Sequence, residues 1–170
     1  MEYRFIVDAE VDGLYGPLLT MAVIVTKLDG TEVATFYGGI PNQISEAKEA
    51  WVLEHVIPYI GAYQAFATEE ELLEEVWQLW CTYRTSARCF ADVPFPVESR
   101  LFHKMVEKDR QNRAFMAPFP IIDVASLLYA RGFEPIGNRL DLVSHFEGRL
   151  HNALDDVRLS SRIIQRLLGE

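Results

Sequence analysis

Cysteine is scarce in this chain: Cys81 and Cys89 are the only two in 170 residues. Their separation is not that of a metal knuckle and their neighbours are apolar. They read as buried free thiols of a reducing, cytoplasmic setting, not as a disulfide framework. Long apolar runs are missing too. The longest, Leu18 to Val25 with Thr20 inside it, falls far short of the roughly 20 residues that span a bilayer. The opening, MEYRFIVDAE, has an acid at position 2 and enters a strand pattern at once, which is not the pattern of a signal peptide. Positive charge is the third shortage, with 16 Lys and Arg against 25 Asp and Glu and a net charge of −9. That balance argues against a protein that coats long nucleic acid through a basic face. An enzyme that grips only the end of a polynucleotide remains open, because bound divalent ions place positive charge where phosphate goes.

What is present is the material of a folded core. Apolar residues make up 49% of the chain and aromatics 12%, and the length suits a single domain over residues 1–170. Residues 3–9 read as a buried strand. Leu18 to Lys27 and Thr31 to Tyr37 follow as two more, joined at Asp29-Gly30, a tight-hairpin dipeptide. Ser45 to Ile57 is expected as one helix, capped by Ser45 and ended by Pro58. Thr68 to Tyr83 is another, with Thr68 and Glu71 at capping-box spacing and acids crowding its first turn. Trp77 and Trp80 lie on its apolar side and belong to the core. Then come a strand at Ala87 to Ala91, a helix from Pro96 to Lys108, a short apolar stretch at Ile121-Ile122, and a helix from Val124 to Arg131 capped by Asp123. The last helix runs from Asn152 to Leu168. The expected fold is α/β: a mixed sheet whose first three strands are antiparallel, with helices on both faces.

Two constellations carry chemistry. Asp8-Ala9-Glu10 ends the first strand, and residues two apart on a strand point to one side, so both carboxylates project together. The second lies in RLHNALDDVRLSSRII, residues 149–164. Wound at helical period, Ala153, Val157, Ser160, Ile163, Ile164, Leu167 and Leu168 form an apolar stripe, and Arg158, Arg162 and Arg166 form a row opposite. Asp155 falls in line with the arginines, three residues before Arg158, as a surface ion-pair partner. Asp156 falls inside the apolar stripe, where no Lys or Arg accompanies it. A carboxylate turned inward is costly unless it is paired with a cation or protonated, so a metal ion is a natural partner.

Asp8-x-Glu10 at the end of the first strand, with His151-x-Ala153-x-x-Asp156 entering the last helix, resembles the first and third motifs of the DEDDh 3′–5′ exonucleases. These belong to the ribonuclease-H-like superfamily and include proofreading exonuclease subunits, ribonuclease T and oligoribonuclease. DAEVDGL resembles the family's opening, and IIDVASLLYARG the segment after its second motif. That second motif, a strand-ending His-Asn followed by a helix-opening Asp, is altered to CFADVPFPVESRLF. Asp92 at the strand end is the preferred fourth acid, because it has the family's residue type at a fixed position. Glu98, in VESRLF, is the alternative.

The resemblance implies a metal-dependent exonuclease that releases nucleoside 5′-monophosphates from a single-stranded 3′ end. Four carboxylates in one pocket repel, by on the order of 4 kcal/mol per pair at ~4 Å in a surface-like dielectric. Two Mg²⁺ or Mn²⁺ ions, which suit oxygen-only ligands, relieve this. By resemblance Asp8 bridges the ions, Glu10 and Asp156 hold the one beside the attacking water, and His151 is the general base. Leu14, after Gly13, is a candidate to pack on the terminal base. Arg100 and Lys104, with Lys108, form a basic row that could meet phosphate. RNA or short oligonucleotides are favoured over long DNA, a homodimer is expected, and no membrane is involved. The rival reading is a catalytically inactive ribonuclease-H-like module kept for protein or nucleic-acid binding.

Overall fold

The computed structural model describes residues 2–169. Its centre is a six-stranded sheet in the order β4-β3-β2-β1-β5-β6. β1 (Tyr3–Val11), β2 (Leu18–Lys27) and β3 (Glu32–Gly39) form the antiparallel meander. β5 (Ala87–Ala91) runs parallel to β1, and β6 (Ile121–Asp123) runs parallel to β5. β4 is a two-residue strand, Gln64–Ala65, parallel to β3, and the sequence carries no pattern for so short an element. The turn between β2 and β3 is closed at Gly30, whose φ of 86° is open to glycine and awkward for other residues.

Strand alternation sorts the sheet into two cores. Phe5, Val7, Met21, Val23 and Val25 face α3 (Glu69–Tyr83) and α4 (Val97–Glu107), and Trp77 and Trp80 are buried there as expected. Ile6, Ala22, Ile24 and Phe90 face α6 (Val124–Ala130) and α7 (Ala153–Leu168). This parity positions the site. Continuing past Ile6, Asp8 and Glu10 fall on the α7 side of β1, where Asp156 lies. A register irregularity between Glu10 and Val11 ends the regular pairing with β2 at that point, a common device beside functional sites.

Three expectations are corrected. The helix drawn from Ser45 to Ile57 is broken into α1 (Pro41–Ser45), α2 (Ala50–His55) and a 3-10 turn at Ile57–Tyr59. Asp12 is the cause, since its carboxylate accepts from the backbone N–H groups of Lys48 and Glu49, both at 2.9 Å, and holds the intervening segment out of helix. Ser45 therefore closes α1 instead of capping a longer helix. Secondly, Arg158 pairs with Glu32 at 3.0 Å, not with Asp155. Asp155 instead accepts from the Arg149 backbone N–H at 2.9 Å. Thirdly, Leu168 is not on the buried stripe but 39% exposed, because α7 is ending there at a left-handed Gly169. A four-residue helix, α5 (Arg110–Arg113), and a 3-10 turn at Arg139–Leu142 complete the described elements.

Candidate active site

α7 begins where its first turn can be capped and anchored at once. Asn152 accepts from the N–H groups of Leu154 and Asp155, both at 3.1 Å, which satisfies two donors otherwise orphaned at a helix start. Its side-chain amide donates to the carbonyls of Tyr59 and Ile60 at 2.8 and 2.9 Å. One residue earlier, His151 adopts φ 64°, a left-handed conformation uncommon for a residue with a side chain. One turn into the helix, Asp156 points back toward β1.

The result is a cleft of about 350 Å³ at the carboxyl ends of β1 and β5, lined by Asp8, Glu10, Asp92, Arg139, His151 and Asp156 among others. Asp8, Glu10 and Asp156 converge there, each half-buried, with carboxylate oxygens within 4.8 Å of one another. None of the three makes an ion pair among the described residues. Burial, then the charges of Asp156, Glu10, Glu98 and Asp92, pushes the Asp8 carboxyl well above its usual range. Burial raises Glu10 to about 7. Asp156 is raised to about 8 by burial and the Glu10 charge, against the opposing pull of a hydrogen bond from the His151 backbone N–H. Carboxylates gathered without cations and driven toward protonation form a donor set that a hard divalent ion would relieve.

The two contenders for a fourth acid sit differently. Asp92 lies in the cleft, but both its oxygens are taken by Arg139, whose Nε and Nη2 donate at 2.5 and 2.9 Å. Glu98 is only 3% exposed, beneath the β1 acids, and accepts from the Ala9 N–H between them at 3.1 Å. Burial lifts its carboxyl to about 8.

His151 is half-buried, and its ring meets Trp51 edge-on at 4.8 Å. Burial, with the neighbouring His55, lowers its pKa and favours the neutral imidazole. Gly13 has φ 77°, and Leu14 stands 63% exposed in the turn after β1, outside the cleft lining. Arg100 donates to the carbonyls of Tyr15 and Gly16 at 2.6 and 2.9 Å, so it pins that turn. Lys104 pairs with Glu69 at 2.5 Å and Lys108 with Glu70 and Glu74 at 3.0 Å. The structure therefore ties this basic row to the chain itself and brings none of it into the cleft. Sequence reasoning missed Arg139, which lines the cleft, and Trp51, which lies outside the lining and packs on the His151 ring. Arg139 meets Asp92 across 47 positions, which no local pattern signals.

The three-dimensional likeness is clear even though the sequence is distant. A structure of E. coli exonuclease I in complex with a dA16 oligonucleotide superposes with a TM-score of 0.64 over 99% of this chain, at 10% identity. The fold is ribonuclease-H-like. A zinc-bound form of the E. coli exonuclease I–ssDNA complex gives 0.63 at 10% identity over 99% of this chain, and an ExoI/SSB-Ct complex gives 0.58 at 11% over 99%. The chain spans less than half of those proteins, 42%, 42% and 43% of their lengths. No family model matches the chain, and no curated protein matches it by sequence.

Proposed function

We propose that this chain is a metal-dependent 3′–5′ exonuclease that hydrolyses the terminal phosphodiester of a single strand. One observation carries the reading: Asp8, Glu10 and Asp156 converge within 4.8 Å, with no ion-pair partner among the described residues, at the strand end of a fold shared with exonuclease I. The donor set is all carboxylate oxygen, half-buried, with protonation favoured for want of a partner. It fits Mg²⁺ or Mn²⁺, and two ions are the proposed complement. When bound, such ions activate water and offset charge on the phosphate.

The chain's own groups do the rest. Asp8, Glu10 and Asp156 would hold the metal, which would supply an activated water. Glu98 is the better-supported fourth acid, because it is buried against Ala9 with no cation, whereas Asp92 is occupied by Arg139. His151, kept neutral by its burial, accepts the water's proton on a ring nitrogen. Leu14, exposed after a left-handed Gly13, is free to pack on the terminal base. The products are a nucleoside 5′-monophosphate and a strand one nucleotide shorter. The acidic chain, with its basic row paired internally, favours RNA or short oligonucleotides over long DNA.

An inactive binding module is the second reading, favoured by the altered second motif and the capture of Asp92 by Arg139. The unpaired acid trio speaks against it, since an inactive site gains nothing from buried charge repulsion. The deciding experiment incubates 5′-labelled single-stranded RNA, DNA and a dinucleotide with the protein and Mg²⁺ or Mn²⁺. The nuclease reading expects shortening from the 3′ end that Asp8→Ala and His151→Ala abolish. Intact substrate in every arm assigns the module instead.

A further inference from the structure

Arg139 is the only Lys or Arg among the described residues that lines the acid cleft. Its fork grips both oxygens of Asp92, at the end of β5, while Nη1 and Nη2 also donate to the carbonyls of Gly137 and Pro135 at 2.8 and 2.6 Å. Its side chain is 13% exposed and that of Asp92 19%, so the pair is shielded from screening by water. Four of its five N–H groups are thereby fixed. Such a guanidinium is a poor free anchor for incoming phosphate and a good staple.

The stapled segment matters because of what it carries. Residues 137–139 and 150–151 both line the cleft, and all come from the connection between α6 and α7. That connection has little regular structure, one 3-10 turn, and two left-handed non-glycine residues, His145 and His151. α7 holds its middle, where Arg166 and Arg162 donate to the Leu142 and His145 carbonyls at 2.5 and 3.5 Å and Asp155 accepts from the Arg149 N–H at 2.9 Å. Asn152 bonds it to the Tyr59–Ile60 carbonyls at the far end, and Arg139 bonds it to Asp92 at the near end.

We propose that Arg139 is a positioning residue: with Asp92 it forms a latch that fixes the α6–α7 connection as the wall of the cleft, holds His151 in register with the acid trio, and keeps Asp92 out of metal coordination. The catalytic part of this rests on the exonuclease reading, whereas the latch itself does not. Arg139 and Asp92 then act as one unit, so breaking either side, or both, has the same consequence.

The test compares Arg139→Gln, Asp92→Asn, the double variant and Arg139→Lys with the wild-type full chain. Three quantities are read: Mn²⁺ affinity by titration calorimetry, protease cleavage within residues 132–150, and kcat and KM on a 5′-labelled single strand. The latch predicts faster cleavage in both single variants and the double, to the same extent. It predicts Mn²⁺ affinity within about threefold of wild type, and kcat reduced about 10–100-fold alike in all three with KM nearly unchanged. Arg139→Lys, which keeps the charge but loses the fork, restores part of the loss, and it carries the comparison should Arg139→Gln not fold. A tenfold weaker Mn²⁺ affinity in Asp92→Asn alone would make Asp92 a metal ligand and overturn the latch. Additive losses in the double variant, or unchanged loop cleavage, would overturn it as well. Cleavage and Mn²⁺ binding are readable even if the wild type degrades nothing, so failure of the exonuclease reading is seen separately.

Discussion

Two groups of acids on this molecule use the same residue types to opposite ends. On the α3–α4 surface, Glu69, Glu70 and Glu74 face Lys104, Lys108 and Arg113, and every one of these acids has a cation within 3.0 Å. Burial opposes the charge on Glu74, yet hydrogen bonds from Gln78, Lys108 and Arg113 outweigh it and hold the carboxyl down at about 2. In the cleft, Asp8, Glu10 and Asp156 have each other and no ion-pair partner among the described residues, and their carboxyls rise instead. The first arrangement serves the fold. The second is a standing deficit of positive charge, in a fold shared with a nuclease. Acidity alone therefore says little about function, and the supply of partners says much.

The comparison can be broken from both sides. The largest effect is expected from Asp8→Asn: nuclease activity falls by at least about 10³-fold, as expected when a metal site is lost. The metal-free variant remains folded and at pH 8 is no less stable than wild type, because one of three repelling charges is gone. Degradation assays and thermal unfolding read the two halves. Stability that falls with activity would return Asp8 to a structural role.

Next comes pH. Asp156 and Glu98 titrate at about 8 in the folded chain, against ordinary values of 3.8 and 4.5. Between those limits the native state holds protons that the unfolded chain releases, so metal-free stability falls as pH rises from 4 toward 8. Mn²⁺ should then raise the melting temperature clearly at pH 8 and little at pH 5, where protons compete for the same oxygens. Glu74 runs the other way: its contribution is present above pH 4.5 and is lost as pH falls through about 2.

Smaller effects belong to the paired region. Glu74→Gln removes contacts to Arg113 and Lys108 at 2.9 and 3.0 Å and is expected to cost about 1 kcal/mol, since part of the network is exposed. Denaturant unfolding would show it, with nuclease activity unaffected. Arg158→Ala breaks a half-exposed pair with Glu32 and should cost ~0.5 kcal/mol or less by the same measurement. A larger loss would mean that α7 depends on its outer face.

What was legible in the sequence was what local periodicity encodes. The helical register of residues 153–168 separated the inward Asp156 from the outward Asp155, and strand parity put Asp8 and Glu10 on one side. The meander, both tryptophans in the core and the start of α7 were readable for the same reason. Contacts between distant residues were not. Asp12 reaches 36 and 37 positions to break the helix expected at Ser45. Glu98 reaches 89 to lie under Ala9, and Arg139 reaches 47 to capture Asp92. Asp92 stands at a strand end that the sequence makes legible, while its partner Arg139 comes from a segment with no regular pattern.

The measurement that tests the central claim most directly is a calorimetric titration of Mn²⁺ into the metal-free protein at neutral pH, in buffers of differing ionisation enthalpy. The unpaired trio predicts saturable binding accompanied by proton release, as Asp8, Glu10 and Asp156 give up the protons their surroundings favour, and loss of that binding in Asp8→Asn. Binding that is absent, or that persists unchanged in Asp8→Asn, would contradict the assignment of the cleft as a metal site.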